Sequence, residues 1–162
     1  MTPGGCAVLR GTSLSEVGLA VSYFAGQKKM FFLAAGPLTD KITWAEGNKY
    51  TFRLRPSTAM QTAMLMPAAK SANAKKWALV YPSSEYGQAA ASAFKELMKK
   101  AQPEVEFVTE QPVALGKLYA GAGTEAIGET KPHPIFNAPF GPGPASFRRR
   151  GLARSCCRGP AG

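Results

Sequence analysis

Four stretches of this 162-residue sequence combine glycine or proline with hydroxyl, amide or aromatic side chains, each directly after a short apolar run. They are "GTSLS" at 11–15, "AAGPLT" at 34–39, "YPSSEYG" at 81–87 and "NAPFG" at 137–141. Where such a loop leads into a helix, main-chain N–H groups stay exposed, and a nearby hydroxyl adds a further hydrogen-bonding group. Loops of this kind predict a receptor for a small ligand that is anionic at one end.

Residues that could perform catalysis do not occur at the spacings that catalysis needs. His133 is the single histidine, stands between two prolines in "KPHP", and has no acidic or cysteine neighbour at triad spacing. The segment 121–128, "GAGTEAIG", lacks the third glycine of a dinucleotide-binding fingerprint. We interpret Glu85 as a solvated acid at a helix start rather than as a general base. No catalytic residue is therefore predicted, and an α/β enzyme fragment remains an alternative.

The cysteines provide no framework for a metal site or a disulfide set. They form an odd set of three with two adjacent members: Cys6, Cys156 and Cys157. This pattern matches neither the ligand spacing of zinc sites nor the paired cysteines of disulfide-rich domains. We expect no metal and no cofactor.

Most of the positive charge is concentrated at the end of the chain. The net charge is +10: residues 1–130 contain 14 Lys and Arg against 10 Asp and Glu, giving +4, and residues 131–162 contain six against none, giving +6. Residues 142–162 are rich in Arg, Gly and Pro and predict a disordered basic tail. A tail of this kind can bind phosphate chains. Nucleic-acid binding is therefore an alternative, but we expect a solvated tail and no such partner.

The first two loops follow predicted strands. The apolar run at 7–9 precedes a helix that Ser15 is expected to cap and that ends near Gly26. Residues 30–35, "MFFLAA", are continuously apolar, which predicts a strand buried on both faces of a parallel sheet. Residues 49–56, "KYTFRLRP", alternate in polarity and predict a half-exposed strand at an edge or on a crossover.

A methionine-rich helix is expected from Ser57. Met60 and Met64 are predicted to fill the core, and Pro67 is predicted to kink the helix or end it early. The same criteria predict four more elements beyond it: a strand at 76–82, a helix at 83–103, a strand at 105–108, and a short strand with its turn at 135–141.

This alternation of strands and helices predicts an α/β fold with a mostly parallel sheet and helices on both faces. Ligands bind to open parallel sheets outside the carboxyl ends of the strands, where the four polar loops fall. No apolar run reaches the roughly 18 residues that span a bilayer. Residues 1–10 lack the pattern of an export signal, so we expect none in this chain.

Five longer stretches occur in a characteristic order: "GTSLSEVGLAVSYFA", "KKMFFLAAGPLTDKITW", "NKYTFRLRPST", "KKWALVYPSSEYGQAAASAFKELMKKAQPEVEFV" and "KPHPIFNAPFG". They cover roughly residues 8–141. As an ordered set they resemble the amino-acid-type substrate-binding proteins of bacterial ABC importers, the leucine/isoleucine/valine-binding group of type I periplasmic binding proteins.

The resemblance implies two α/β lobes that close on a ligand between them. Residues 1–56 would form a partial first lobe and residues 57–141 the crossover and a partial second lobe, followed by the tail at 142–162. The implied function is non-catalytic capture of a small amino-acid-like or carboxylate solute in the periplasm, for delivery to an ABC permease. The chain would then be an internal fragment of such a protein.

The resemblance also assigns seven ligand-binding residues: Ser13, Leu14, Ser15, Ala35, Gly36, Thr39 and Tyr86. The first three would hold a ligand carboxylate through N–H and hydroxyl groups, and the next two would meet the ligand through their main chain. Tyr86 would line the cleft from the second lobe. Leu38 stands where relatives with amino-acid specificity often have threonine, so a standard α-amino acid is not implied.

Overall fold

The computed structural model describes residues 8–114 and 134–138. Within these ranges the strands form two three-stranded sheets with the orders β1-β2-β3 and β5-β4-β6. The strand bounds are β1 Val8–Gly11, β2 Phe31–Ala34, β3 Thr51–Arg53, β4 Lys76–Pro82, β5 Glu106–Val113 and β6 Ile135–Asn137. The helices are α1 Ser15–Lys28, α2 Thr58–Ser71 and α3 Glu85–Ala101, with a 3₁₀ turn at Asp40–Ile42. His133, the cysteines and the predicted tail at 142–162 lie outside the described residues.

Every neighbouring pair of strands in both sheets is parallel. The predicted α/β class with mostly parallel strands is therefore confirmed. Parallel neighbours require crossover connections, and α1 and α3 supply two of them, between β1 and β2 and between β4 and β5. We name β1-β2-β3 the first sheet and β5-β4-β6 the second sheet.

The first sheet packs one face against α1. Ala25 of α1 and Phe32 and Ala34 of β2 are completely buried and form this core together with Ile42 of the 3₁₀ turn. The opposite face is more open, because Phe31 is 41% exposed and stacks on Phe52 at a ring-centroid distance of 5.1 Å. The expected burial of β2 on both faces is thus wrong at Phe31.

Helix α2 differs from its prediction in which methionine is buried. Met60 and Met64 are exposed, whereas Met66 packs into the core with Thr62 and Ala69. The helix also continues past Pro67 to Ser71, so the predicted early stop is wrong. Polarity alone could not decide the orientation, because methionine, alanine and threonine occupy nine of the 14 positions of this helix and occur on all sides of it.

The second sheet has the larger core. Phe94 of α3 lies at its centre, with its ring 4.1 Å from that of Phe136 and 5.1 Å from that of Trp77. Met98 is completely buried beside them. This confirms the apolar face predicted for α3. None of the helices that the structure describes has the length and apolar character needed to cross a membrane.

Helix α3 starts against the end of β4, the strand that precedes it. A methyl group at Gly87 would lie 1.9 Å from the carbonyl oxygen of Pro82. Only glycine therefore allows the helix to begin this close to the strand. The residues that open α3 are consequently fixed at the carboxyl end of the second sheet, where the sequence predicts a ligand loop.

The orientation of α2 can be tested by truncating one buried and one exposed methionine and measuring the free energy of unfolding. Met66→Ala removes a side chain that is 8% exposed and should lower the free energy of unfolding by about 2–4 kcal/mol. Met64→Ala is the matched control, because its side chain is 67% exposed and its removal should change stability by less than about 0.5 kcal/mol. Urea unfolding followed by circular dichroism measures both. Equal losses would contradict this orientation of α2.

Candidate ligand site

A cavity of about 70 Å³ lies where α1 and α3 begin. The loops after β1, β2 and β4 contribute to its wall, together with the segment after β3, so both sheets take part. Its lining residues are Ser13, Leu14, Ser15, Glu16, Gly36, Leu38, Arg55, Ser84 and Tyr86.

The cavity brings together five of the seven residues assigned from the sequence, and two lie beside it. Ala35 uses its N–H to donate to the Gly11 carbonyl at 3.0 Å, and Thr39 is completely buried. Neither lines the cavity. Of the fourth predicted loop, only residues 137–138 are described.

Ser15 has a different role from the predicted helix cap. Leu14 is the N-cap residue of α1, and Ser15 is the first residue of the helix. The buried Ser15 hydroxyl instead accepts hydrogen bonds from the backbone N–H groups of Leu38, at 3.4 Å, and Thr39, at 3.3 Å. The N-cap prediction is therefore wrong: this hydroxyl fastens the loop after β2 to the start of α1.

Arg53 holds the same loop from its other side. Its guanidinium donates hydrogen bonds to the carbonyl oxygens of Pro37, Leu38 and Thr39. Burial lowers the pKa of Arg53, while the nearby Asp40 carboxylate raises it. The sequence predicts this arginine only as part of a half-exposed strand. Its role depends on the pairing of β3 with β2, which brings Arg53 beside the loop that follows β2.

Gly36 allows the loops after β1 and β2 to touch at the wall of the cavity. A methyl group at this position would lie 2.2 Å from the carbonyl oxygen of Thr12 and 2.9 Å from the Cα of Ser13. Real contacts of this length do not occur, so any larger residue would push the two loops apart. Gly36 thus sets the position of Ser13 in the cavity.

Glu85, the first residue of α3, bridges the two sides of the site. Its carboxylate accepts a hydrogen bond from the Thr39 hydroxyl at 3.0 Å and lies 3.1 Å from Lys41 Nζ. Its backbone N–H donates to the Glu16 carboxylate on α1 at 2.7 Å. With its side chain only 15% exposed, Glu85 is not the solvated acid that we expected. Sequence reasoning missed it because its partners lie 44 and more residues away.

Tyr86 presents a neutral phenol to the cavity. Burial raises the pKa of its hydroxyl above the ordinary value of 10, and the Arg55 charge opposes that shift without cancelling it. The hydroxyl is therefore protonated at neutral pH and can both donate and accept a hydrogen bond.

The helix ends at the cavity favour an anion, while the side chains of Glu16 and Arg55 bring opposite charges to the lining. The N-termini of α1 and α3 both point at it, and each carries a partial positive charge from its aligned peptide dipoles. Main-chain N–H groups at such an end bind carboxylate or phosphate oxygens. Among residues 8–114 and 134–138, no cluster of His, Cys, Asp or Glu has the size needed to hold a metal ion. The arrangement fits the binding of a small anion.

A family model described as periplasmic binding protein matches residues 3–149. The chain belongs to the periplasmic binding protein family. Family membership implies a periplasmic or extracytoplasmic location. No curated protein matches the chain significantly.

Solved structures of ABC-transporter solute-binding proteins are similar to this periplasmic binding protein chain. A protein from R. palustris in complex with benzoate has a TM-score of 0.85 at 21% identity, with 96% of this chain and 42% of that chain covered. One from Rhodopseudomonas palustris HaA2 in complex with p-hydroxybenzoic acid has 0.84 at 20%, with 97% and 43% covered. An amino acid ABC transporter substrate-binding protein from Pseudomonas fluorescens Pf-5 has 0.73 at 24%, with 93% and 40% covered.

These likenesses establish the fold and its extent. The chain spans about two fifths of the length of these solved chains. It therefore has a partial type I periplasmic-binding-protein fold, as the sequence predicted.

The loop-fastening role of Ser15 in this periplasmic binding protein can be tested against its neighbour Ser13. Ser15→Ala leaves the amides of Leu38 and Thr39 without their acceptor and should lower the free energy of unfolding by about 1–3 kcal/mol. Ser13→Ala removes an exposed hydroxyl and should change it by less than about 0.5 kcal/mol. Urea unfolding measures both. If Ser15→Ala were as harmless as Ser13→Ala, the hydroxyl would not hold this loop.

The bridge at Glu85 can be tested through its ion pair. Glu85→Gln keeps an acceptor for Thr39 but removes the charge facing Lys41, and should cost about 1 kcal/mol of unfolding free energy in 20 mM salt. The loss should shrink in 0.5 M salt because the pair is partly exposed. Glu104→Gln is the matched control, since its pair with Lys75 is exposed on the surface, and it should leave the urea midpoint unchanged. A loss at Glu85 that is independent of salt would contradict the ion-pair explanation.

Proposed function

We propose that this chain carries the ligand-binding core of an ABC-importer solute-binding protein and that it captures a small organic carboxylate without catalysis. The observation that carries the proposal is that two helix N-termini meet at a single cavity. One is that of α1, after β1 of the first sheet, and the other is that of α3, after β4 of the second sheet. Each end supplies positive potential, and main-chain N–H groups at a helix start are the groups that recognise a carboxylate. At the start of α3 the Glu85 N–H already donates to Glu16.

The division of the chain into lobes is part of this proposal. The first sheet and α1 would belong to residues 1–56, the partial first lobe, and α2 with the second sheet to residues 57–141, the crossover and partial second lobe. Two observations support the boundary: each sheet has its own hydrophobic cluster, and Met66 and Ala69 of α2 pack into the second one.

The proposed ligand residues are those assigned from the sequence, in two different roles. Ser13, Leu14, Gly36 and Tyr86 line the cavity and would contact the ligand directly. Ser15 lines it too, but its hydroxyl is engaged by the loop after β2. Ala35 and Thr39 do not line the cavity, so they would act by fixing that loop and not by contacting the ligand.

Similar solved proteins support a carboxylate ligand, because their own ligands are benzoate and p-hydroxybenzoic acid. Tyr86 lines the cavity, and an aromatic side chain there suits a ligand that carries an aromatic ring. An amino-acid-like solute remains within the proposal, since another similar protein belongs to an amino acid transporter. Delivery to an ABC permease from the periplasm follows from the same function.

A calorimetric titration with a matched ligand pair tests the proposal. Benzoate should bind to the full chain, whereas benzamide, which has a similar shape but no charge, should bind at least about tenfold more weakly because it lacks the charge-assisted hydrogen bonds. Benzoate at 100 times its dissociation constant should also raise the stability of the chain by about 2.7 kcal/mol, seen as a higher melting temperature.

The screen extends to 4-hydroxybenzoate and L-leucine under the same conditions. Binding of any of these carboxylates, with benzamide inert, supports the proposal. A well-folded chain that binds none of them, or that binds benzamide as well as benzoate, would refute it.

A further inference from the structure

Two charged side chains are found among the described residues that line the cavity: Glu16 and Arg55. Their signs are opposite, so the class of ligand depends on which of them is available to it. An available carboxylate would suit the ammonium group of an amino acid. An available guanidinium would suit a second acceptor group or the carboxylate itself.

The Glu16 carboxylate is already engaged. Its Oε1 accepts a hydrogen bond of 2.7 Å from the backbone N–H of Glu85, the first residue of α3. A carboxylate at a helix N-terminus is also stabilised by the helix dipole. This interaction occupies one of the two carboxylate oxygens of Glu16 and orients the group toward the start of α3.

Arg55 is available by contrast. It makes no hydrogen bond and no ion pair with another residue of the described ranges, and it is exposed. Arg53, two residues earlier, uses its guanidinium on three carbonyl oxygens of the loop after β2. The two arginines of "RLR" therefore have different roles. Arg53 positions the loop after β2, and Arg55 contributes its charge to the lining of the cavity.

The charge of Arg55 also acts on the interior of the site. It lowers the pKa of the Tyr86 phenol, against the effect of burial on the same group. Arg55 and Tyr86 also both line the cavity, so a bound ligand would meet both side chains. Together with the two helix N-termini, the guanidinium adds positive potential to a wall that also carries the Glu16 carboxylate.

We propose that Arg55 is the specificity-determining residue of this site, and that it selects organic acids without an ammonium group over α-amino acids. This inference rests on the proposed function and narrows its ligand class. The guanidinium would donate paired hydrogen bonds to a carboxylate or to a phenolic oxygen of the ligand. For an α-amino acid, the same positive charge would repel the ammonium group.

Arg55→Met, compared with Arg10→Met, tests this role. Both substitutions remove one arginine charge, but Arg10 is exposed on β1 and does not line the cavity. The probes are benzoate and L-leucine, titrated calorimetrically into the full chain, with circular dichroism to verify folding. We expect the unaltered chain to bind benzoate at least about tenfold more tightly than L-leucine.

Arg55→Met should weaken benzoate binding at least about tenfold, and it should narrow the gap between benzoate and L-leucine. Arg10→Met should leave both affinities within about twofold, because that side chain does not line the cavity and its exposed charge is screened by salt. Arg55→Lys, which keeps the charge and loses the planar fork, should lie between the unaltered chain and Arg55→Met.

Three results would overturn the inference. If benzoate affinity changed less than twofold in Arg55→Met, or if L-leucine bound as tightly as benzoate, Arg55 would not select the ligand, and the proposed function would stand. If the folded chain bound neither probe nor any other carboxylate, both proposals would fall.

Discussion

The loop after β2 is the part of the molecule on which the candidate site depends. Its backbone is held on both sides, because the Ser15 hydroxyl accepts its N–H groups and the Arg53 guanidinium donates to its carbonyl oxygens. Gly36 lets the loop reach the backbone of Thr12. A connecting segment has few backbone partners of its own. These side chains replace the missing partners, and the loop gains the fixed position that a ligand site requires.

The same loop connects the first sheet to the start of α3. Thr39 ends the held segment, and its hydroxyl donates to the Glu85 carboxylate, which also faces Lys41. Nearby, the Glu85 N–H is satisfied by Glu16. Negative charge at the start of a helix is stabilised by the dipole, so both acids fit their places. Their mutual engagement explains why the described cavity wall, despite carrying a carboxylate, has Arg55 as its available charge.

The sequence predicted the elements better than the contacts between them. Strand and helix positions followed from apolar runs and periodicity, which depend on local order, and β4 and α3 lie close to their predicted bounds. The burial of Met66 in place of Met64 was not predictable, since it depends on which face of α2 packs against α3 and the core of the second sheet. The hydrogen bonds by which Ser15 and Arg53 hold the loop after β2 could not be predicted from the sequence either. Both act on a loop that is distant in sequence, and local patterns describe only a residue's near neighbours.

Under the proposed function, adjacent residues at the start of α3 would couple ligand binding to the contact between the two sheets. Glu85 faces Thr39 and Lys41, while Tyr86 faces the cavity. A ligand held between Tyr86 and the start of α1 would add contacts across the interface that Glu85 already bridges. Binding and the bridge then stabilise the same arrangement, and by linkage each must strengthen the other. In the proposed function this coupling would come from two adjacent residues in the first turn of α3.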